Sequence, residues 1–501
     1  MAIPKLKQEH IKVILSFFGL FFLLCSYYVI KPFRAGVFYK EFTYQTAPYL
    51  QLSCIVGSLL LTRAFTSFYK KLSSIHLVIS SYFIMGLIHV LFYFLLGIGF
   101  ATKPIAFVFC LWASIYFLLA LAILWGNTNQ IFSSKQAKVY YGFVLFGALS
   151  GSTCGSMLSS YIIDAGYLDY SLLFSAALMT ISIVFIYFAD HFNVDIIEQS
   201  AQDAKNIAED KKISSGFVTD LKALFKKHYL LCIAVMVFSL TFSKTAFEYR
   251  TLPIIDQEIS KKVLNNHFQL LDQGTQSNRS SLNVSLLKMI QSLKKLDDQQ
   301  RLKSIGQFVK DHQLTSEPKL ILDQYHNYQK DYQKQISFWH NQTQNYQNIL
   351  AIIILLFGSS FILRKLGVGV AICLLPLSFF ILLIITNFDV GLLTVQICKV
   401  IVGALDFSIN NASKELLFVC ASSEANLRFK PFIEGPIFRL GNACSALIFI
   451  CLASLVGVNS QIVFLIFALI IVSIWFIKAR DVAKQYHQLD ALNRATPILG
   501  S

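Results

Sequence analysis

Apolar residues in this chain come in long runs, without the strict alternation of a half-buried strand or the narrow stripe of a surface helix. Runs of about 17 to 25 residues are what a helix needs to cross about 30 Å of hydrocarbon. They fall at roughly 11–30, 46–66, 75–99, 104–125, 139–162, 168–189, 229–249, 347–363, 368–386, 390–409, 437–456 and 460–477. The pattern predicts an all-α membrane protein of twelve transmembrane helices in two six-helix halves. The expected organisation is an N-terminal half over 1–190, a cytoplasmic linker over 191–228 and a seventh helix over 229–249. A polar segment over 250–346, the rest of the C-terminal half over 347–477 and a cytoplasmic tail over 478–501 complete it. The first run leads from Tyr28 straight into Lys31 and Arg34 with no small-residue cleavage site, so it reads as a retained span.

The segment 250–346 is rich in Gln, Asn, Lys and Asp. Within it Tyr325, Tyr328, Tyr332, Ile336, Trp339 and Tyr346 are spaced along one helix face, and Val284, Leu287, Ile290 and Leu293 form a second stripe. Two or three amphipathic helices packed together outside the membrane, on the non-cytoplasmic side, are expected. They are either a self-packed helical insert or a lid or docking element for an extracytoplasmic protein partner. Asn278-Arg279-Ser280 and Asn341-Gln342-Thr343 fit the glycosylation triplet, a pattern common by chance.

Composition agrees with burial in lipid. The 501 residues are 55% hydrophobic and 14% charged, where soluble chains average about 25% charged. A net charge of +15 would suggest a nucleic-acid partner in a soluble protein. Topology is the plainer cause here. With the N-terminus inside, Lys31, Arg34, Lys40 and Lys103 fall in short outer loops, whereas most other Lys and Arg outside the 250–346 segment fall on the inner side. The positive-inside rule then places both termini in the cytoplasm and the chain in a cell inner membrane, with no nucleic acid implied. The ten Cys and ten His show no metal-ligand or disulfide spacing, so no metal and no cofactor are expected.

Ionisable groups inside spans are expensive and default to a functional hypothesis. Lys31-Pro32-Phe33-Arg34 sits at the outer half of the first span, where Pro32 is expected to kink or end the helix. The cations either snorkel to headgroups or offer paired hydrogen bonds to a phosphate. On the seventh span Lys244, Glu248 and Arg250 form a second cluster, in which Lys244 and Glu248 share a face and are expected to neutralise each other. Lys399, Asp406, Lys414 and Glu415 form a third, followed by Glu434 and Arg439. Glu415, Glu434 and Arg439 are candidates for an inward gate held by ion pairs or for ordinary stabilising pairs. Cationic patches at matching depth in the two halves would make an anion site facing a central cavity.

Gly147, Gly151, Gly155 and Ser159 recur every four residues in the fifth span, and Gly441 with Ser445 begins a shorter row in the eleventh. Such rows let helix backbones approach closely and read as packing. A faint internal echo, Asn127-Thr128-Asn129 after the fourth span and Asn410-Asn411 after the tenth, fits two related halves. There is no Gly-x-x-x-x-Gly-Lys phosphate loop and no nucleophile–base pair, so neither an ATP-driven pump nor an enzyme is expected.

Taken in order, Tyr27 to Arg34, Leu124-Trp125-Gly126-Asn127-Thr128-Asn129-Gln130-Ile131, Gln136-Ala137-Lys138, Ser413-Lys414-Glu415-Leu416 and Arg439-Leu440-Gly441 resemble signatures of the ATP/ADP translocases of intracellular bacteria and plastids. The resemblance implies a major-facilitator-like nucleotide carrier that exchanges ATP for ADP or imports nucleotides by alternating access. Arg34 and Lys414 stand where that family has important lysines, whereas Ala113 stands where it has an acidic residue, and the large segment after the seventh span is atypical. Lys31, Lys244, Glu248, Arg250, Asn127 and Asn129 join Arg34 and Lys414 as candidate substrate contacts, with Tyr27, Tyr28 or Trp125 available to stack on a base. Two alternatives stay open: a carrier of another organic anion, and a non-transporting receptor acting through the 250–346 segment.

Overall fold

The computed structural model describes residues 5–69, 74–98, 102–132, 134–192, 217–267, 289, 292–293, 298–311, 318–359, 361–388, 390–419, 429–456 and 460–495. Val284, Leu287, Ile290 and the triplet at 278–280 lie outside them. Every regular element among the described residues is helical. Nine helices there are long and apolar enough to cross a membrane. The spans expected over 46–66 and 139–162 are also helices, α2 (Ala47–Tyr69) and α5 (Ser134–Asp164). Helices dominate for a physical reason: in hydrocarbon every backbone N–H and C=O must be satisfied within its own segment.

The chain divides into two compact units. The first comprises 1–50, 57–192 and 252–345. Its centre is α1 (Lys5–Glu41), packed against α4 (Thr102–Ile131), α5 and α6 (Ser171–His191), while α3 (Ser74–Ile98) packs on α4 and α6. The glycine row of α5 faces α1. A Cβ on Gly147 would stand 2.6 Å from the Phe17 carbonyl oxygen, one on Gly155 2.6 Å from that of Cys25, and one on Gly151 would overlap the Phe21 carbonyl. Small residues thus allow backbone-to-backbone contact along three turns. Across the other face of α1, the Ser182 hydroxyl donates to the Gly19 carbonyl at 2.7 Å.

Pro32 neither ends nor breaks α1, which runs on to Glu41. The same holds at Pro253 inside α8 (His228–His267), the helix that follows the short α7 (Phe217–Phe225). At 1.5 Å per residue these two proline-bearing helices are about 55 and 60 Å long, well beyond the hydrocarbon thickness. Packing along both sides of the proline outweighs the one hydrogen bond it removes.

The segment after residue 250 is built into the first unit. Residues Leu252–Leu264 of α8 bury Leu252, Ile255, Ile259 and Val263. The short α9 (Asp298–Asp311) and the long α10 (Pro318–Ile353) follow. Tyr325, Tyr328, Tyr332, Ile336 and Trp339 of α10 are buried as the helical spacing foretold, but Tyr346, at the end of that seam, is 52% exposed. The Tyr332 hydroxyl donates to the buried Asp256 carboxylate of α8. Burial drives the Tyr332 phenol far above its ordinary range, with the Asp256 charge adding to it. On α1, Gly36 gives way to Ser337 and Gln333 of α10, and Tyr39 stacks on His340 at 6.0 Å. Asn341 and Asn345 donate to the Ser160 hydroxyl of α5 at 2.6 and 3.1 Å. Asn341 is therefore a fully buried packing residue, not an exposed sugar acceptor.

The second unit comprises 51–56, 193–251 and 346–501. It holds the first part of α8, α11 (Gly367–Ile385), α12 (Leu392–Leu405), α13 (Asn411–Val419), the one-turn α14 (Lys430–Phe432), α15 (Phe438–Val456) and α16 (Ser460–Ala495). Wider π-helical turns occupy Ile354–Ser359, Ile362–Leu366, Asp406–Asn410 and Ile433–Ile437, so α12 runs through one into α13 and α14 through another into α15. Gly441 of α15 repeats the device of α5: a Cβ there would meet the Phe238 carbonyl of α8 at 2.5 Å and overlap the Thr241 hydroxyl.

Candidate functional site

In the first unit, the outer half of α1 carries the two cations singled out from sequence. Lys31 Nζ donates to Gln344 Oε1 of α10 at 2.8 Å and stands 5.1 Å from the centre of the Tyr28 ring. Arg34 donates from one terminal nitrogen to the Ser114 hydroxyl of α4 at 2.7 Å, and Ser114 in turn donates to the Cys110 carbonyl at 2.6 Å. No carboxylate among the described residues pairs with Arg34. A guanidinium has five N–H donors, so most of this one's remain for a ligand.

Beneath Arg34 lies a buried polar knot. Ser26 of α1 shares a 2.7 Å hydrogen bond with Ser175 of α6, which lies 3.4 Å from His89 Nδ1 of α3. His89 meets the Tyr116 ring edge-on at 4.8 Å. Sequence reasoning passed over His89, although a histidine inside an apolar run is itself a signal. It also passed over Ser114 and Gln344, whose roles exist only through contacts distant in the chain.

The proposed base-stacking tyrosines are engaged elsewhere. Tyr28 is buried in the core of the first unit, and the Tyr27 ring is covered face to face by Phe117 at 3.9 Å. Trp125, near the end of α4, is half-buried. Asn127 is 1% exposed, and among the described residues neither its amide nitrogen nor its amide oxygen has a hydrogen-bond partner. The side chain of Asn129 lies outside the described residues. A separate cavity of about 540 Å³ is lined by Phe33, Lys40, Tyr93, Asp169 and Gln333 among others, and contains neither Lys31 nor Arg34.

In the second unit Lys244, Lys399, Lys414 and Lys430 meet carboxylates, with partners other than those the spacing suggested. Lys244 pairs with Asp406, at the start of the π-helical turn after α12, and Glu248 lies 3.8 Å from Lys399 of α12. The i,i+4 pairing of Lys244 with Glu248 is not formed, because the facing helix offers each of them a partner of opposite sign. Arg250 donates to the Thr386 carbonyl at 3.2 Å and to Asn387 Oδ1 at 3.3 Å, beyond the end of α11. Lys414 bonds Glu434 at 2.7 Å and Lys430 bonds Glu415 at 2.6 Å. Glu415 and Glu434, two of the gate candidates, are thus each paired with a lysine, while Arg439 is half-buried on the first turn of α15. Thr245 donates to Asn442 of α15 at 2.9 Å, next to Gly441, which ties the polar side of α8 to the close helix crossing.

With fold and charges in view, comparison with known proteins adds the class. No family model and no curated relative matches the chain. Among solved structures it is similar to a bacterial homologue of the iron transporter ferroportin in an inward-facing state, with TM-score 0.53, 12% identity, and coverage of 96% of this chain and 100% of that one. It is also similar to a point mutant of the nucleoside transporter NupG, with TM-score 0.50, 13% identity, and 95% and 99% coverage. A D-xylose–proton symporter matches with TM-score 0.50, 11% identity, and 95% and 97% coverage. At such identities the likeness establishes architecture. The chain is a multi-pass, all-helical membrane protein with a major-facilitator-like fold.

Proposed function

We propose that this protein is a secondary transporter of nucleotides or kindred phosphorylated anions, working by alternating access in a cell inner membrane with both termini cytoplasmic. The observation that carries the reading is Arg34: a half-buried guanidinium on a long transmembrane helix, held by one neutral hydroxyl and by no carboxylate among the described residues. A cation retained at that depth without a matching anion needs one from outside, and the fork geometry of arginine suits a phosphate. Lys31, three residues earlier on the same helix, supplies further positive charge. The fold likeness to transporters, one of them a nucleoside transporter, supports carriage across a membrane. The resemblance of the Tyr27–Arg34 and Ser413–Leu416 stretches to ATP/ADP translocases narrows it to nucleotides, as exchange or import.

Uptake of labelled ATP by cells producing the protein is the direct test, with a competition panel of nucleotides, nucleosides, inorganic pyrophosphate and dicarboxylates. ATP or ADP should compete strongly, and nucleosides should compete weakly because they lack the charge. Correct membrane insertion without uptake of any nucleotide would end the reading. Competition by dicarboxylates equal to that by nucleotides would move it to another class of organic anion, on the same fold.

A further inference from the structure

Asp406 and Lys244 form an ion pair of unequal members. The Asp406 side chain is 8% exposed and that of Lys244 36%, so the lysine faces accessible space while the carboxylate does not. One Asp406 oxygen receives Lys244 and the other receives the Asn410 amide at 2.9 Å, four residues on in the same π-helical turn. The remaining charged groups nearby are few. On α8, Glu248 is engaged with Lys399 of α12. On α13, Lys414 is engaged with Glu434 and Glu415 with Lys430. Cys373 is the one titratable group of α11, and Ile354–Ser359 contributes none. No second cation among the described residues is bonded to Asp406.

An anion approaching Lys244 therefore meets a site whose charge is already matched. It can gain the lysine only by taking the place of the Asp406 carboxylate. That exchange leaves a poorly exposed carboxylate without its cation, a strongly unfavourable state unless the group is neutralised. A proton from water, bound to the carboxylate oxygen that Lys244 has left, neutralises it, and no covalent bond of the ligand changes. Asp406 also opens a π-helical turn, an interruption of the regular α-helical ladder that is frequent at functional sites.

From this geometry we propose that Asp406 is an internal substitute for the anionic group of the substrate, released from Lys244 on binding and protonated in the same step. Anion entry is thereby linked to uptake of one proton. The inference rests on the anion-carrier reading above and assigns its coupling ion and its regulating residue.

The test is calorimetric binding to the full-length purified protein, with ATP and with inorganic pyrophosphate, in two buffers of different ionisation enthalpy. Their difference gives the protons taken up per ligand. Wild-type protein should take up close to one proton beyond those on the probe itself. Asp406→Asn, which keeps the size and loses the charge, should bind either probe about tenfold more tightly, equivalent to 1.4 kcal/mol, with no linked proton. Asp406→Glu should restore the linkage. Unchanged proton uptake in D406N, or a Kd there equal to or above that of wild type, overturns the proposal. Wild-type protein that binds a probe without proton uptake overturns it with no variant needed. Failure of wild type to bind either probe removes the anion reading and this inference together, a result distinct from the others.

Discussion

The two units solve one packing problem alike and one electrostatic problem differently. In each, a long central helix meets a glycine-bearing neighbour at backbone contact: α1 at Gly147, Gly151 and Gly155, and α8 at Gly441. In each, that central helix carries cations. Yet Arg34 in the first unit rests on a serine hydroxyl, whereas Lys244, Lys399, Lys414 and Lys430 in the second rest on carboxylates. The π-helical turns among the described residues also all lie in the second unit, and two of them carry the acids Asp406 and Glu434. The first unit thus presents a standing positive charge on regular helices. The second keeps its charges occupied on helices whose ladders are already interrupted.

Removing the standing charge should have the largest effect. Arg34→Ala should cut transport by about 10–100-fold, the range given by losing charge-assisted hydrogen bonds of about 1.5–3 kcal/mol, with membrane insertion unchanged. Ser114→Ala should cut it far less, because the guanidinium survives. If the two variants lose activity equally, Arg34 is a packing residue and the contrast between the units fails.

The shared packing device comes next. Gly151→Ala and Gly441→Ala should each destabilise by about 1–3 kcal/mol, since the added methyl overlaps backbone or a short side chain. Gly435→Ala, where an added Cβ meets nothing within 4 Å beyond its own helix backbone among the described residues, should be within about 0.5 kcal/mol of wild type. Thermal unfolding in detergent measures all three, and equal shifts would remove the argument from close approach.

A smaller asymmetry tests the second unit alone. Lys244→Ala should destabilise by about 1–3 kcal/mol because it leaves the 8% exposed Asp406 uncompensated, and Asp406→Ala by less because the Lys244 side chain is 36% exposed and so less desolvated. The reverse order would mean that the lysine, not the acid, is the buried member. Smallest of all, Lys430→Ala should cost about 0–1 kcal/mol, fading with added salt, because Glu415 is 54% exposed and the pair is largely solvated.

Much of the architecture was legible before any coordinates. The apolar runs marked where helices form, the four-residue glycine row marked a close crossing, and Tyr325, Tyr328 and Tyr332 marked a buried helix face. Less was legible at the site. The residues that complete Arg34 and Lys31 are a serine on α4 and a glutamine on α10, both unremarkable within their own stretches. Tyr28 read as available for a base, but the burial of one helix side among several neighbours is not written in its spacing. Pro32 read as a helix break, since a local rule sees the missing N–H and not the packing that carries the helix past it.

What the sequence by itself determined is the class: long apolar runs force helices across a bilayer because a backbone in hydrocarbon has no other way to satisfy its hydrogen bonds. Partnership was decided only by the tertiary structure. Lys244 and Glu248 are one helical turn apart on α8, yet each finds its counter-charge on a helix some 150 residues later in the chain. Coulomb attraction depends on distance in space, and in a folded protein that distance is set by which helices pack together.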